Sequence, residues 1–167
     1  MLSSEVRGSG WKTRVVAAVF GLGVLAGCQA QPLYGSMAGQ NQSITVSTAE
    51  SRVEQVVRNE LVLGFGGEQQ NGAYQLELTV TSGVGGLLPG GLDNEFSAAR
   101  TTMTASYVLK AANTGKTVKS GSRFVDAQLD LPSQQFAQER AKLEAEDRAA
   151  RQVAALVRAD VAAALAR

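Results

Sequence analysis

The sequence predicts an α/β fold, an α+β sandwich of two layers in which a four-stranded, mostly antiparallel sheet carries two helices on one face. Three observations predict it. Apolar periodicity switches between two and 3.6 along the chain in the order β-α-β-β-β-α. The clear strands have a single apolar face, and each helix has a single apolar stripe. A one-faced sheet and one-striped helices bury their apolar sides most economically against each other.

The elements follow in order. Ile44-Thr45-Val46-Ser47 alternates and is β-branched, a short first strand. Ser47 or Thr48 can cap a helix, with Glu50 completing a capping box with Ser47. Val53, Val56, Val57 and Leu61 recur at helical spacing, and Gly64 ends that helix. Tyr74, Leu76, Leu78 and Val80 alternate with Gln75, Glu77, Thr79 and Thr81, giving one apolar and one wet strand face. Ser82 to Asn94 reads as a glycine-rich loop with an apolar tip at Leu87-Leu88-Pro89, either a plain connection or a segment that touches a partner or lipid.

The third strand is Arg100 to Lys110, with Met103, Ala105, Tyr107 and Leu109 on one face. Asn113-Thr114-Gly115-Lys116 is a turn. The fourth strand runs Thr117 to Val125, toward Leu129, anchored by Val118 and Phe124. Pro132-Ser133 opens a long helix reaching about Ala166. Its stripe is Phe136, Leu143, Ala150, Val153, Val157, Val161 and Leu165. Being alanine-rich, the stripe suits close packing on the sheet. Glu144–Arg148 and Asp147–Arg151 are spaced i,i+4 for side-chain pairing.

The N-terminus is of another kind. Arg7, Lys12 and Arg14 precede the apolar run Val15–Val24, and small residues lead to Cys28. This is the layout of a secretory signal peptide, and the run is shorter than the roughly 20 residues that span a bilayer. Leu25-Ala26-Gly27-Cys28 resembles the bacterial lipobox. That resemblance implies removal of residues 1–27, with an S-diacylglycerol and an N-acyl chain on Cys28. Two or more acyl chains anchor firmly, at roughly 0.8 kcal/mol per buried CH₂. Residues 28–43 then read as a lipidated tether and 44–167 as one domain. Gln29 stands where Asp often marks inner-membrane retention, which implies the outer membrane.

Composition limits the chemistry. The chain has 16 basic and 15 acidic side chains; residues 1–27 hold Arg7, Lys12, Arg14 and Glu5, leaving 13 and 14, net −1. No basic excess announces a nucleic-acid partner. Histidine is absent and Cys28 is the single cysteine, so Ser–His and Cys–His catalysis and the usual zinc ligand sets are missing. Gly115-Lys116-Thr117 lacks the earlier glycine and the following helix of a phosphate loop and reads as a hairpin turn. Glu144, Glu146 and Asp147 read as the solvated face of a charged helix. No enzyme and no cofactor beyond the covalent lipid are expected.

A further resemblance covers nearly all of the mature chain. Leu-Ala-Gly-Cys followed by Gln31-Pro32-Leu33-Tyr34-Gly35 is its specific part. Tyr74-Gln75-Leu76-Glu77-Leu78, Ala105-Ser106-Tyr107-Val108-Leu109 and Ala145-Glu146-Asp147-Arg148-Ala149 follow in order. Together these resemble the lipopolysaccharide-assembly lipoprotein LptE family in its alphaproteobacterial form. Departures are Phe136, where Tyr is expected, and the glycine-rich stretch. The resemblance implies a non-catalytic plug within the outer-membrane β-barrel LptD, anchored on the periplasmic side, which assists barrel assembly and binds lipopolysaccharide in transit. Arg100, Lys110, Lys116, Lys119 and Arg123 are the candidate contacts to lipid phosphates, and Leu87 and Leu88 the candidate partner-contact loop. A free-standing lipoprotein that carries or senses an amphiphile is the alternative.

Overall fold

The computed structural model describes residues 43–90 and 95–166. Cys28, the signal peptide and the tether up to residue 42 lie outside the described residues, as do the side chains of Leu88 and Pro89. The elements are β1 (Ile44–Val46), α1 (Arg52–Gly64), β2 (Tyr74–Gly90), β3 (Glu95–Ala111), β4 (Thr117–Asp130) and α2 (Gln135–Leu165). The sheet order is β1-β2-β3-β4; β1 is parallel to β2 and the other pairs are antiparallel. The fold class and element order are those the periodicity predicts.

Both helices cover one sheet face. α1 packs on β1 and β2, and α2 on β3, β4 and α1. The core between them holds Val57 and Leu61 of α1, Leu76 of β2, Met103 and Leu109 of β3, and Val153, Val157 and Val161 of α2, all fully buried. Ala145, Ala149, Ala150 and Ala154 of α2 are buried as well. Their small side chains let the helix axis approach its neighbours closely.

The helices run parallel to each other. At one end the Arg52 guanidinium donates to Glu146 and to Asp147, each at 3.0 Å. At the other, a methyl group on Gly64 would lie 2.7 Å from Arg158 Cδ. Glu146 and Asp147 therefore clamp α2 to α1, and the reading of this acidic group as a merely solvated face is corrected. Arg148 does pair with Glu144, at 3.2 Å, while Asp147 turns to Arg52.

Four further expectations change. The α1 cap is Ser51, not Ser47: Ser51 Oγ accepts from Glu54 N at 3.2 Å, and Glu54 accepts from Glu50 N at 3.0 Å. Within the expected loop 82–94, residues 82–90 are strand, since the β2–β3 ladder continues from Ser82↔Met103 to Gly90↔Glu95, with register shifts around Leu88; 91–94 lie outside the described residues. Val118 and Phe124 do not anchor β4. Arg123 and Val125 pair with Ala105 and Met103 of the buried face, so the even-numbered positions of β4 point to the uncovered face and Phe124 is 68% exposed.

Phe136 and Leu143 form no part of the core and are 79% and 39% exposed. They share a stripe with buried Ala150 by heptad spacing. Arg52, at the start of α1, pairs with Glu146 and Asp147, about two turns or more along α2 from Phe136. That helix starts at Gln135, and its cap residue Gln134 makes no side-chain capping bond.

Candidate partner-binding surface

The sheet face that no described element covers is polar by strand alternation. β2 contributes Gln75, Glu77, Thr79 and Thr81; β3 contributes Arg100, Thr102, Thr104, Ser106, Val108 and Lys110; β4 contributes Ser120, Ser122, Phe124, Asp126 and Gln128. Cross-strand contacts tie this surface together. Thr102 donates to Asp126 at 2.6 Å, Ser106 to Ser122 at 3.2 Å, and Lys110 to Glu77 at 2.5 Å. Arg100 lies 3.5 Å from Asp126. Phe124, opposite Thr104, is an aromatic side chain standing on this wet surface, an arrangement common at protein interfaces.

The five candidate cations divide between places. Arg100 and Lys110 sit on the polar face, each beside a carboxylate. Lys116 is exposed in the β3–β4 turn, where Gly115 takes φ +67°. Lys119 and Arg123 are on the helix side of β4, by their pairing with Leu109 and Ala105. They do not form one cluster.

Arg123 belongs to a second polar group that periodicity did not reveal. Its Nε and Nη2 donate to Asp160 of α2, both at 2.7 Å, and the Tyr107 hydroxyl donates to the same carboxylate at 2.7 Å. The Arg123 hydrogen bond, foremost, holds the Asp160 carboxyl below its ordinary range; burial opposes this, and the Tyr107 hydrogen bond adds to it. Tyr107 is pushed up to about 12, first by burial and then by the Asp160 hydrogen bond. Asp160 raises Arg123 in turn. The Tyr107 ring needs Gly121 opposite it, because a methyl group there would lie 2.8 Å from the hydroxyl oxygen. The group therefore ties β3, β4 and α2 together. Only the tyrosine among strand-face apolar residues, and the aspartate on the α2 stripe side, hinted at it in the sequence.

Leu87 of the apolar tip is 38% exposed near the far end of β2. An open cavity of about 790 Å³ lies at the other end, lined by Ser43, Thr45, Asn71, Gly72, Ala111 and Asn113 among others. Its described lining mixes polar and apolar groups and carries no charged side chain. Among the described residues no group of three or more His, Cys, Asp or Glu is placed to hold a metal ion. Within them, no helix is long and apolar enough to cross a membrane.

No family model matches the chain, and no curated protein matches its sequence. Solved structures do. A candidate lipoprotein from Caulobacter crescentus aligns with a TM-score of 0.64 at 23% identity, over 80% of this chain and 98% of that one. Rare lipoprotein B from Shewanella oneidensis aligns at 0.56 with 13% identity, over 74% and 95%. A minor lipoprotein from Acinetobacter baumannii aligns at 0.52 with 11% identity, over 72% and 89%. At these identities the likeness is one of fold: the domain has the two-layer α/β architecture seen in these bacterial proteins.

Proposed function

We propose that this protein is an outer-membrane lipoprotein of LptE type, anchored through Cys28, that works with an LptD-like β-barrel in lipopolysaccharide assembly and transport. The observation that carries the reading is the two-sided sheet. One face is sealed by both helices. The other is a ladder of Thr, Ser, Gln, Glu and Lys with Phe124 on it and no described element over it. A barrel lumen is polar, and such a surface is suited to lying against one. The Cys28–Gly35 opening and the fold shared with bacterial lipoproteins support the same reading.

In this account the protein performs no catalysis. Lys116 and Lys119, both exposed at the β3–β4 turn end, supply charge for lipid phosphates. Arg100 and Lys110 add theirs by exchanging carboxylate partners for phosphate, for which the Arg fork is the better match. Arg123 is held by Asp160 and serves the fold. The test is affinity purification of the tagged, full-length protein from detergent-solubilised outer membranes, with mass spectrometry of what accompanies it. A stoichiometric large β-barrel that survives high salt is the expected result. A clean monomer sinks the barrel reading and shifts the weight to a free-standing carrier of an amphiphile.

A further inference from the structure

β2 is 17 residues long, but β1 covers only Tyr74–Leu76 of its outer edge. The backbone of β2 alternates in direction. Tyr74 N donates to Ser43, and Leu76 O accepts from Ser47 N, so the even-numbered residues turn their N–H and C=O outward. Leu78 N is satisfied by Ser47 Oγ at 3.1 Å. The same alternation turns Val80, Ser82 and Val84 outward, and among the described residues no strand or side chain pairs with their backbone groups. From Val80 to Leu87 the strand contains no charged residue and no proline. Those are the usual means by which a sheet edge is protected from further pairing.

The space beside this edge is polar at Ser82 and Glu146 and apolar beyond them. Ser82 Oγ reaches Glu146 of α2 at 3.4 Å; α2 itself packs on β3, β4 and α1, so the Glu146 side chain extends across to β2. One turn toward the α2 N-terminus is Leu143, and two residues along β2 on the same face is Val84, 46% exposed. α1 starts at the level of Glu146 and leaves this end of the layer uncovered. Among the described residues, nothing occupies the position collinear with β1, in the sheet or in the layer above it.

We propose that the β2 edge from Val80 to Gly86 receives an extended segment of a partner protein, which joins the sheet as a further strand. The occupant is recognised by its backbone. It is uncharged at alternate positions, with apolar side chains entering beside Val84 and Leu143. Strand addition to an open edge is a recurrent mode of peptide recognition. The inference rests on the reading that the domain works bound to a barrel partner. The described chain begins at Ser43, at the opposite end of β2, so the segment before it would have to run back along the whole edge to be the occupant. A second copy fits poorly: antiparallel pairing of two identical edges carries their Ser43 ends, and hence their lipid anchors, to opposite ends of the dimer.

The test is residue-resolved hydrogen exchange on the full-length lipoprotein, once isolated and once in its detergent-extracted membrane complex. Amides of Val80, Ser82 and Val84 are expected to slow at least a hundredfold in the complex. Those of Thr79, Thr81 and Gly83, which face β3, are expected to be slow in both states. Val84→Pro removes an outward N–H without touching the β3 ladder; it should lower partner recovery at least tenfold at unchanged circular dichroism, while Val84→Thr retains it. Equal exchange in both states overturns the inference. So does slowing in the isolated protein that grows with its concentration (a second copy), or that disappears on deletion of residues 29–42 (the tether). A complex lacking edge protection sinks this inference alone, whereas the absence of any complex sinks it together with the barrel reading.

Discussion

Thr101 illustrates how single side chains set this protein's stability. It is fully buried on the helix-facing side of β3, and its hydroxyl has no hydrogen-bond partner. A buried hydroxyl left unpaired costs on the order of 1–3 kcal/mol, and replacement by an apolar group of the same shape removes that penalty. Thr101→Val should therefore stabilise the domain by about 1 kcal/mol in urea unfolding; a loss of stability would show that the hydroxyl is satisfied. Tyr107 is the opposite case, a buried hydroxyl donating to a charged acceptor. Tyr107→Phe should cost about 1.5 kcal/mol near neutral pH. The pH dependence has a definite sign. A phenol raised from 10 to about 12 in the folded state contributes fully below pH 10 and progressively less as pH rises toward 12. The gap between wild type and Tyr107→Phe should narrow across that window in paired unfolding measurements. Asp160 acts at the acid end. Its lowered pKa stabilises the fold above about 3.8, and that contribution fades as pH falls further.

At the scale of elements, competition between equivalent signals decides the boundaries. Ser47-Thr48-Ala49-Glu50 and Ser51-Arg52-Val53-Glu54 carry the same capping spacing. Ser47 is taken by the sheet, since its N–H donates to Leu76 and its Oγ accepts from Leu78, which leaves Ser51 to start α1. Ser51→Ala should cost about 1 kcal/mol and speed exchange of the Glu54 amide; an unchanged exchange rate would contradict the assignment. The core-facing registers of β2 and β3 were legible because the helices above them demand an apolar face. Beyond Val80 no described helix packs on β2, so Gly83, Gly85 and Gly86 show no alternation and resemble a loop while remaining paired strand. β4 has few apolar residues, and the register shift beside Lys110 precedes a helix-facing row of partly buried Val125 and buried Ala127 and Leu129, rather than Val118 and Phe124. Phe136 and Leu143 carry the right helical spacing. Their exposure follows from the length of α1, which the α2 sequence cannot reveal. The polar face was legible residue by residue; the Arg123–Asp160–Tyr107 group, which joins side chains 16 to 53 residues apart in pairs such as Tyr107 and Asp160, was not.

The whole domain is polarised in two directions. Across the sheet, one face is packed and the other is wet. Along the strands, Ser43 and the β3–β4 turn mark the end where the tether enters, and the far end carries Val84, Leu87, Leu143 and Phe136. At roughly 3.3 Å per residue, the 17 residues of β2 separate those ends by about 55 Å. A lipid on Cys28 would hold the first end at the membrane and present the polar face and the far end to a partner. The central claim is that the polar face is a contact surface. Cys28 is the single native cysteine, and with its sulfur alkylated by the lipid a Thr104→Cys variant would give one reactive thiol beside Phe124 on that face. Its reaction rate with a soluble maleimide should be compared in the isolated full-length protein and in intact outer membranes. The account predicts at least tenfold slower labelling in the membranes; equal rates would mean that the polar face meets only water and would contradict it.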